Sequence, residues 1–209
     1  SKASNLVGDN SDTNDKRDIF LHDFAQRQTI RLSLRSDGLQ ANDDCNSPDI
    51  TIGSNSNLLV VCDSLATTLV LNDCNQASDI FLTIVDPDQI NAGPQAVLTT
   101  ERVSITTDCD EASFISNGLS DIPSISADGR YVVFRSNSIN LDPIADTGLF
   151  NIFVHDRLTQ ITQLASLNQD GLEREEASSY GRINPVGDKI TYVLSNPDRI
   201  YEVDNPPRS

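Results

Sequence analysis

The chain has 209 residues and a formal net charge of −16, from 31 Asp and Glu against 15 Lys and Arg. Phosphate backbones are bound by clustered Lys and Arg, so this balance excludes an ordinary nucleic-acid binder. The longest apolar run, residues 58–62, falls far short of the roughly 20 residues needed to cross a bilayer as a helix, and the length suits one domain or two small ones.

Hydrophobic residues make up 37% of the chain and fall in short bursts. In chain order these are Ile19-Phe20-Leu21, Leu58-Leu59-Val60-Val61, Ile80-Phe81-Leu82, Tyr131-Val132-Val133-Phe134 and Ile152-Phe153-Val154. Bursts of this length, β-branched and aromatic and bounded by Asn, Asp, Ser and Gly, predict strands. No window holds an apolar stripe at helical spacing, so helix is expected to be scarce. Of the 31 acids, 25 are Asp. Asp and Asn build turns because their short side chains bond nearby backbone; they also supply the oxygen ligands of hard cations. The chain contains no Met, so Ser1 is read as the start of a processed or excised piece, and no signal peptide is visible.

The bursts repeat. Residues 19–39 and 152–172 align without gaps, with ten of 21 positions identical at an offset of 133. Further copies of the Ile-Phe strand start at Ile80 and near Ile200, giving spacings of 61, 72 and 48 residues. In the third unit strands are expected at 124–126, 130–136, 151–156 and 161–167, the first two joined by the turn Ala127-Asp128-Gly129. The last unit has Val186-Gly187-Asp188 at that place, before a strand at 189–194. The second unit has a weaker turn at Gly53-Ser54-Asn55 and an insertion at 87–95. Four short antiparallel strands recurring in this way describe all-β propeller blades.

The run Pro123-Ser124-Ile125-Ser126-Ala127-Asp128-Gly129-Arg130-Tyr131-Val132-Val133-Phe134 resembles the TolB-like, or PD40 (WD40-like), β-propeller repeat. Ser136-Asn137-Ser138-Ile139-Asn140-Leu141 and Asn151-Ile152-Phe153-Val154-His155-Asp156 resemble a subgroup found in exported bacterial proteins. The resemblance covers almost the whole chain and implies a fold rather than an activity, with a periplasmic, cell-surface or secreted location. Residues 1–6 align with 136–141, so the chain is expected to open after a second strand and stop after a third. The implied divisions are a partial blade 1–44, blades 45–119 and 120–177, and a partial blade 178–209. About three blades are present, read as a fragment of a larger propeller or an arc closed across a homodimer.

Two loops share the pattern D-x-N-x-x-x-D: Asp12, Asn14 and Asp18, and Asp73, Asn75 and Asp79. With Asp9 added in the longer first loop, these are the candidate Ca²⁺ ligands. The competing reading is that they only cap the loop. His22 and His155 occupy the same repeat position. A residue repeated in register is read as scaffold, here a blade-edge histidine paired with a neighbouring acid. No Gly-x-Ser-x-Gly, His-Glu-x-x-His or Gly-x-x-x-x-Gly-Lys motif occurs.

Cys45, Cys62, Cys74 and Cys109 are all expected on the face carrying the loops between second and third strands, around one blade. Their even number suggests disulfides in an oxidising compartment. Three pairings are open; Cys62–Cys74 with Cys45–Cys109 is favoured, and a Cys₄ zinc site ranks below because C-x-x-C spacings are missing. The function read from the sequence is a non-catalytic exported module binding a protein or carbohydrate partner. The alternatives are the propeller part of a hydrolase or lyase whose site needs further blades, and a structural spacer in a multidomain surface protein.

Overall fold

A computed structural model describes residues 1–2, 5–8, 12–71, 73, 75–96, 98–105, 118–195 and 198–205. Its strands form four antiparallel sheets, each following its predecessor in the chain. The first sheet pairs β1 (Phe20–Asp23) with β2 (Gln28–Arg31). The second orders β3 (Cys45–Ile52), β4 (Leu58–Ser64), β5 (Asp79–Val85) and β6 (Leu98–Arg102). The third orders β7 (Ser120–Ile125), β8 (Tyr131–Ser136), β9 (Asn151–Asp156) and β10 (Ile161–Leu164). The fourth has β11 (Ser178–Ile183), β12 (Lys189–Ser195) and β13 (Asp198–Asp204). Two, four, four and three strands are the numbers expected from the repeat. The insertion at Pro87–Gln95 is a 3₁₀ segment, opened by Asp86, whose carboxylate accepts from the Asp88 amide at 3.0 Å.

The unbroken apolar bursts have a simple cause. Successive side chains on a strand point to opposite faces, and the central strands are covered on both. On β4, Val60 and Cys62 face a core shared with the first sheet, while Leu59 and Val61 face the core shared with the third. On β8, Val132 and Phe134 point back to that second core, and Val133 points on to the core under the fourth sheet. On β9, Phe153 points back, and Ile152 and Val154 point on. The Phe134 and Phe153 rings lie 6.0 Å apart, close to parallel, in the middle core. Contacts between neighbouring sheets concentrate in the first two strands of each, β3 and β4 against β7, and β7 and β8 against β11. The sheets therefore splay outward from their first strands, which is the geometry of propeller blades in an open arc.

Each first strand carries a bulge. The register slips between Asn46 and Asp49, between Asp121 and Ser124, and between Ser179 and Arg182. Ser47, Ile122 and Tyr180 take positive φ there, at 49°, 53° and 56°. The next residue is Pro48, Pro123 or Gly181. Proline costs a bulge nothing because the ladder bond is already broken. At Gly181 a Cβ would sit 2.8 Å from an Ile152 methyl, so the preceding blade approaches too closely for a side chain.

Candidate functional site

The two acidic loops enter β1 and β5 from one end of the sheets. In both, the side chains of the pattern converge, and the group they meet is an arginine from the strand that follows. Arg31 Nη1 lies 3.0 Å from Asp12 Oδ1 and 3.7 Å from Asp18 Oδ2. Arg102 Nη1 lies 3.3 Å from Asp73 Oδ1 and 3.4 Å from Asp79 Oδ2. All six side chains are less than 10% exposed. Asn14 Nδ2 donates to Asp18 Oδ1 at 3.3 Å while its Oδ1 accepts from the Lys16 amide at 3.0 Å. Asn75 repeats both bonds, to Asp79 Oδ2 at 3.0 Å and from the Ala77 amide at 3.1 Å. Asp9 lies outside the described residues. Among the described residues no group of three or more His, Cys, Asp or Glu is placed to hold a metal ion.

A serine that sequence reading passed over completes the arrangement. Ser33 donates to Asp18 Oδ1, and its hydroxyl accepts from the Ile19 amide at 3.3 Å. Ser104 donates to Asp79 Oδ1 at 2.6 Å and accepts from the Ile80 amide at 3.0 Å. Ser166 does the same in the third sheet, donating to Asn151 Oδ1 at 2.8 Å and accepting from the Ile152 amide at 3.1 Å. The signal was available as Leu32-Ser33-Leu34, Val103-Ser104-Ile105 and Ala165-Ser166-Leu167. Burial pushes the Asp18 carboxyl above its usual range, against its bonds to Ser33 and Asn14 and the Arg31 charge. Burial, with the Asp79 charge beside it, pushes Asp73 up to about 6, against Arg102.

The third sheet shows what the arginine is for. Asn151 stands where Asp18 and Asp79 stand, and Leu164, fully buried in the middle core, stands where Arg31 and Arg102 stand. The carboxylate and the guanidinium are thus present together or replaced together. The corresponding loop is held instead by Glu173. It accepts from the Asp146 and Thr147 amides, at 2.8 and 3.0 Å, and from the Thr147 hydroxyl at 2.7 Å. Burial opposes ionisation of Glu173, but the bonds from Thr147 and Asp146 hold its carboxyl below the usual range. Gln40, at the same repeat position, bonds Thr13 through both its amide atoms at 3.1 Å.

The expected acid partner of the histidines is replaced by a threonine. His22 Nδ1 lies 2.9 Å from the Thr29 hydroxyl, and His155 Nδ1 lies 3.0 Å from that of Thr162, each directly across the strand pair. The reason is strand parity. Asp23 and Asp156 follow the histidines and point to the other face; Asp23 caps its turn, and Asp156 takes a bidentate bond from Arg130 at 3.0 and 2.7 Å. Burial holds the His155 imidazole down to about 4. The Ser126-Ala127-Asp128-Gly129 turn is structural too: Asp128 accepts from Ser126 Oγ at 2.6 Å and from the Arg130 amide at 3.0 Å. Gly129 has φ +73°, and a Cβ there would lie 2.1 Å from a Leu59 methyl of the preceding sheet.

Of the four cysteines, Cys45 and Cys62 are buried free thiols in one core; Cys74 and Cys109 lie outside the described residues. At the inner rim, Asp121 and Arg135 form a bidentate pair at 2.7 and 2.5 Å, and Asp63 accepts from the strained Ile122 amide at 3.4 Å. Burial pushes the Asp63 carboxyl up, against its bonds to Ser47 and Ile122.

The loop face is stitched by uncharged groups. Asn42 exchanges bonds with Thr67, donating to its hydroxyl at 2.9 Å and accepting from its amide at 2.8 Å, and takes its own amide to Thr68 Oγ1 at 3.0 Å. A hollow of about 490 Å³ opens between Thr13, Asn14, Leu39, Gln40, Asn42 and Thr68. Leu39 lines it, and other aliphatic side chains stand in solvent on the loops and blade connections: Leu6, Leu65, Leu71, Ile139 and Leu172, between 42% and 70% exposed.

No family model and no curated protein matches this chain. Among solved structures it is similar to Pyrococcus horikoshii acylaminoacyl peptidase, at 14% identity and a TM-score of 0.34, over 72% of this chain and 17% of that one. It is also similar to a protein assigned as TolB from Agrobacterium tumefaciens, at 15% identity and a TM-score of 0.41, over 92% and 75% of the two chains. A thermostable family-43 glycoside hydrolase aligns at 9% identity and a TM-score of 0.43, over 90% and 66%. The chain thus spans only a small part of the peptidase and just under two thirds of the glycoside hydrolase.

Proposed function

We propose that this chain is an exported β-propeller module of the TolB-like repeat type that binds a protein or carbohydrate partner on its loop face and carries out no chemistry of its own. The observation that carries the reading is the set of loops and blade connections, which hold both exposed Leu and Ile side chains and a hollow of hydroxyls and amides. Apolar groups set among uncharged hydrogen-bonding groups are the composition of partner-binding surfaces. Four acids of the calcium-like pattern are engaged internally: Asp12 and Asp18 with Arg31, and Asp73 and Asp79 with Arg102. In this reading the guanidinium groups supply the positive charge that Ca²⁺ would otherwise bring to these loops.

The test is a screen of the immobilised protein against a glycan array and a peptide library, followed by mass analysis of each retained ligand after prolonged incubation. The reading expects retention of a ligand with its mass unchanged. A ligand returned cleaved or eliminated would favour the hydrolase or lyase alternative and overturn it.

A further inference from the structure

We propose that Cys45 and Cys62 form a disulfide that ties β3 to β4 at the inner end of the second sheet. Two observations place them together. Cys45 opens β3 directly opposite Ser64, and Cys62 lies two residues before Ser64 on β4. Side chains two apart on a strand share a face, so both sulfurs enter the same core, between the first and second sheets. There both side chains are buried, Cys45 fully and Cys62 nearly so. The β3 bulge falls next to them: Ser47 and Pro48 interrupt the register opposite Cys62. A covalent bond would tie the strands across that interruption. Cys45 also lines a hollow with Arg17, Asn46 and Pro48.

The oxidant is a protein or small-molecule disulfide. The thiolate of one cysteine attacks one of its sulfurs, the oxidant's S–S bond breaks, and one thiol leaves. The other cysteine then attacks the protein sulfur of the mixed disulfide and the second thiol leaves. Two electrons pass from the cysteines to the oxidant, and the two cysteine protons end on its thiols. Both residues are buried, at 0% and 6% exposure, so the exchange takes place before the first two sheets close on each other. The pairing leaves Cys74 and Cys109 to each other or free.

The experiment is unreduced peptide mapping of the full chain produced in an oxidising compartment, alkylated in denaturant and cleaved on the amino side of aspartate. That cleavage separates Cys45 in 44–48, Cys62 in 49–62 and Cys74 in 73–78. The expected product is 44–48 joined to 49–62, resolved into two peptides by reduction. Fragment 49–62 joined to 73–78, fragment 44–48 joined to the Cys109 fragment, or both alkylated, would overturn the proposal. A second readout uses Cys74→Ser with Cys109→Ser. This variant should still lose on the order of 5–10 °C of Tm on reduction, and a Tm insensitive to reductant would equally overturn it.

Discussion

Replacing Arg31 by leucine, the residue found at the same place in the third sheet, isolates what the guanidinium does. In the first sheet Arg31, Asp12 and Asp18 are 6%, 4% and 0% exposed. Removing one partner from a buried ion pair leaves an uncompensated charge and costs about 3–5 kcal/mol. For a chain of this size each kcal/mol moves Tm by about 2–4 °C, so Arg31→Leu should melt on the order of 10 °C below the wild type at pH 7. Without the cation the Asp18 carboxyl, already raised by burial, is raised further. The folded state then holds the extra proton, so the loss shrinks as pH falls towards 4 and is complete at neutral pH. Adding Asp18→Asn recreates the Asn151 and Leu164 combination and should return about 1–2 kcal/mol. Urea unfolding followed by circular dichroism at pH 7 and pH 5 measures all three proteins. An Arg31→Leu variant within about 0.5 kcal/mol of wild type, well under the range for a broken buried pair, would refute the reasoning. So would a double variant no more stable than the single.

Three further outcomes are expected. Asp73, raised to about 6, makes the fold less stable as pH rises from about 4 to 6, whereas His155, lowered to about 4, makes it more stable from about 4 to 6.5. The two slopes oppose each other, so stability–pH curves should steepen upward in Asp73→Asn and turn downward in His155→Gln; unchanged curves in both variants would count against the assigned burial. Gly129→Val meets the Leu59 methyl and an unfavourable φ of +73°, and should cost roughly 2 kcal/mol or more in denaturant melts. Excess chelator should leave Tm unchanged; a chelator-dependent fall reversed by Ca²⁺ would show that an ion, and not Arg31 and Arg102 alone, closes the acidic loops.

The sheet order was legible because each blade writes itself twice, once as an apolar burst and once as the turn that ends it. Tyr131-Val132-Val133-Phe134 bounded by Asp128-Gly129 is a strand and a turn in any context. The bulges were not legible: β7 begins at Ser120, four residues before the expected strand, because Pro123 and the positive φ of Ile122 read locally as a break. The acidic loops were found, but their partner was not. Arg102 is 29 residues from Asp73 in the chain and meets it only once β6 has paired with β5. The serine at 33, 104 and 166 hid behind its own commonness. The histidines were expected to meet an acid, but their threonine partners depend on strand register, as does the shared face of Cys45 and Cys62, set by a ladder that slips two residues later.

The account stands on the loop face as a surface that binds. For a ligand retained in the screen, affinity measured by titration should fall at least tenfold in Leu71→Asp and Leu172→Asp, which place charge on that face. It should stay within twofold in Leu158→Asp, on the opposite end of the third sheet, where the side chain is equally exposed. Equal binding by all three variants, or loss confined to Leu158→Asp, would contradict it.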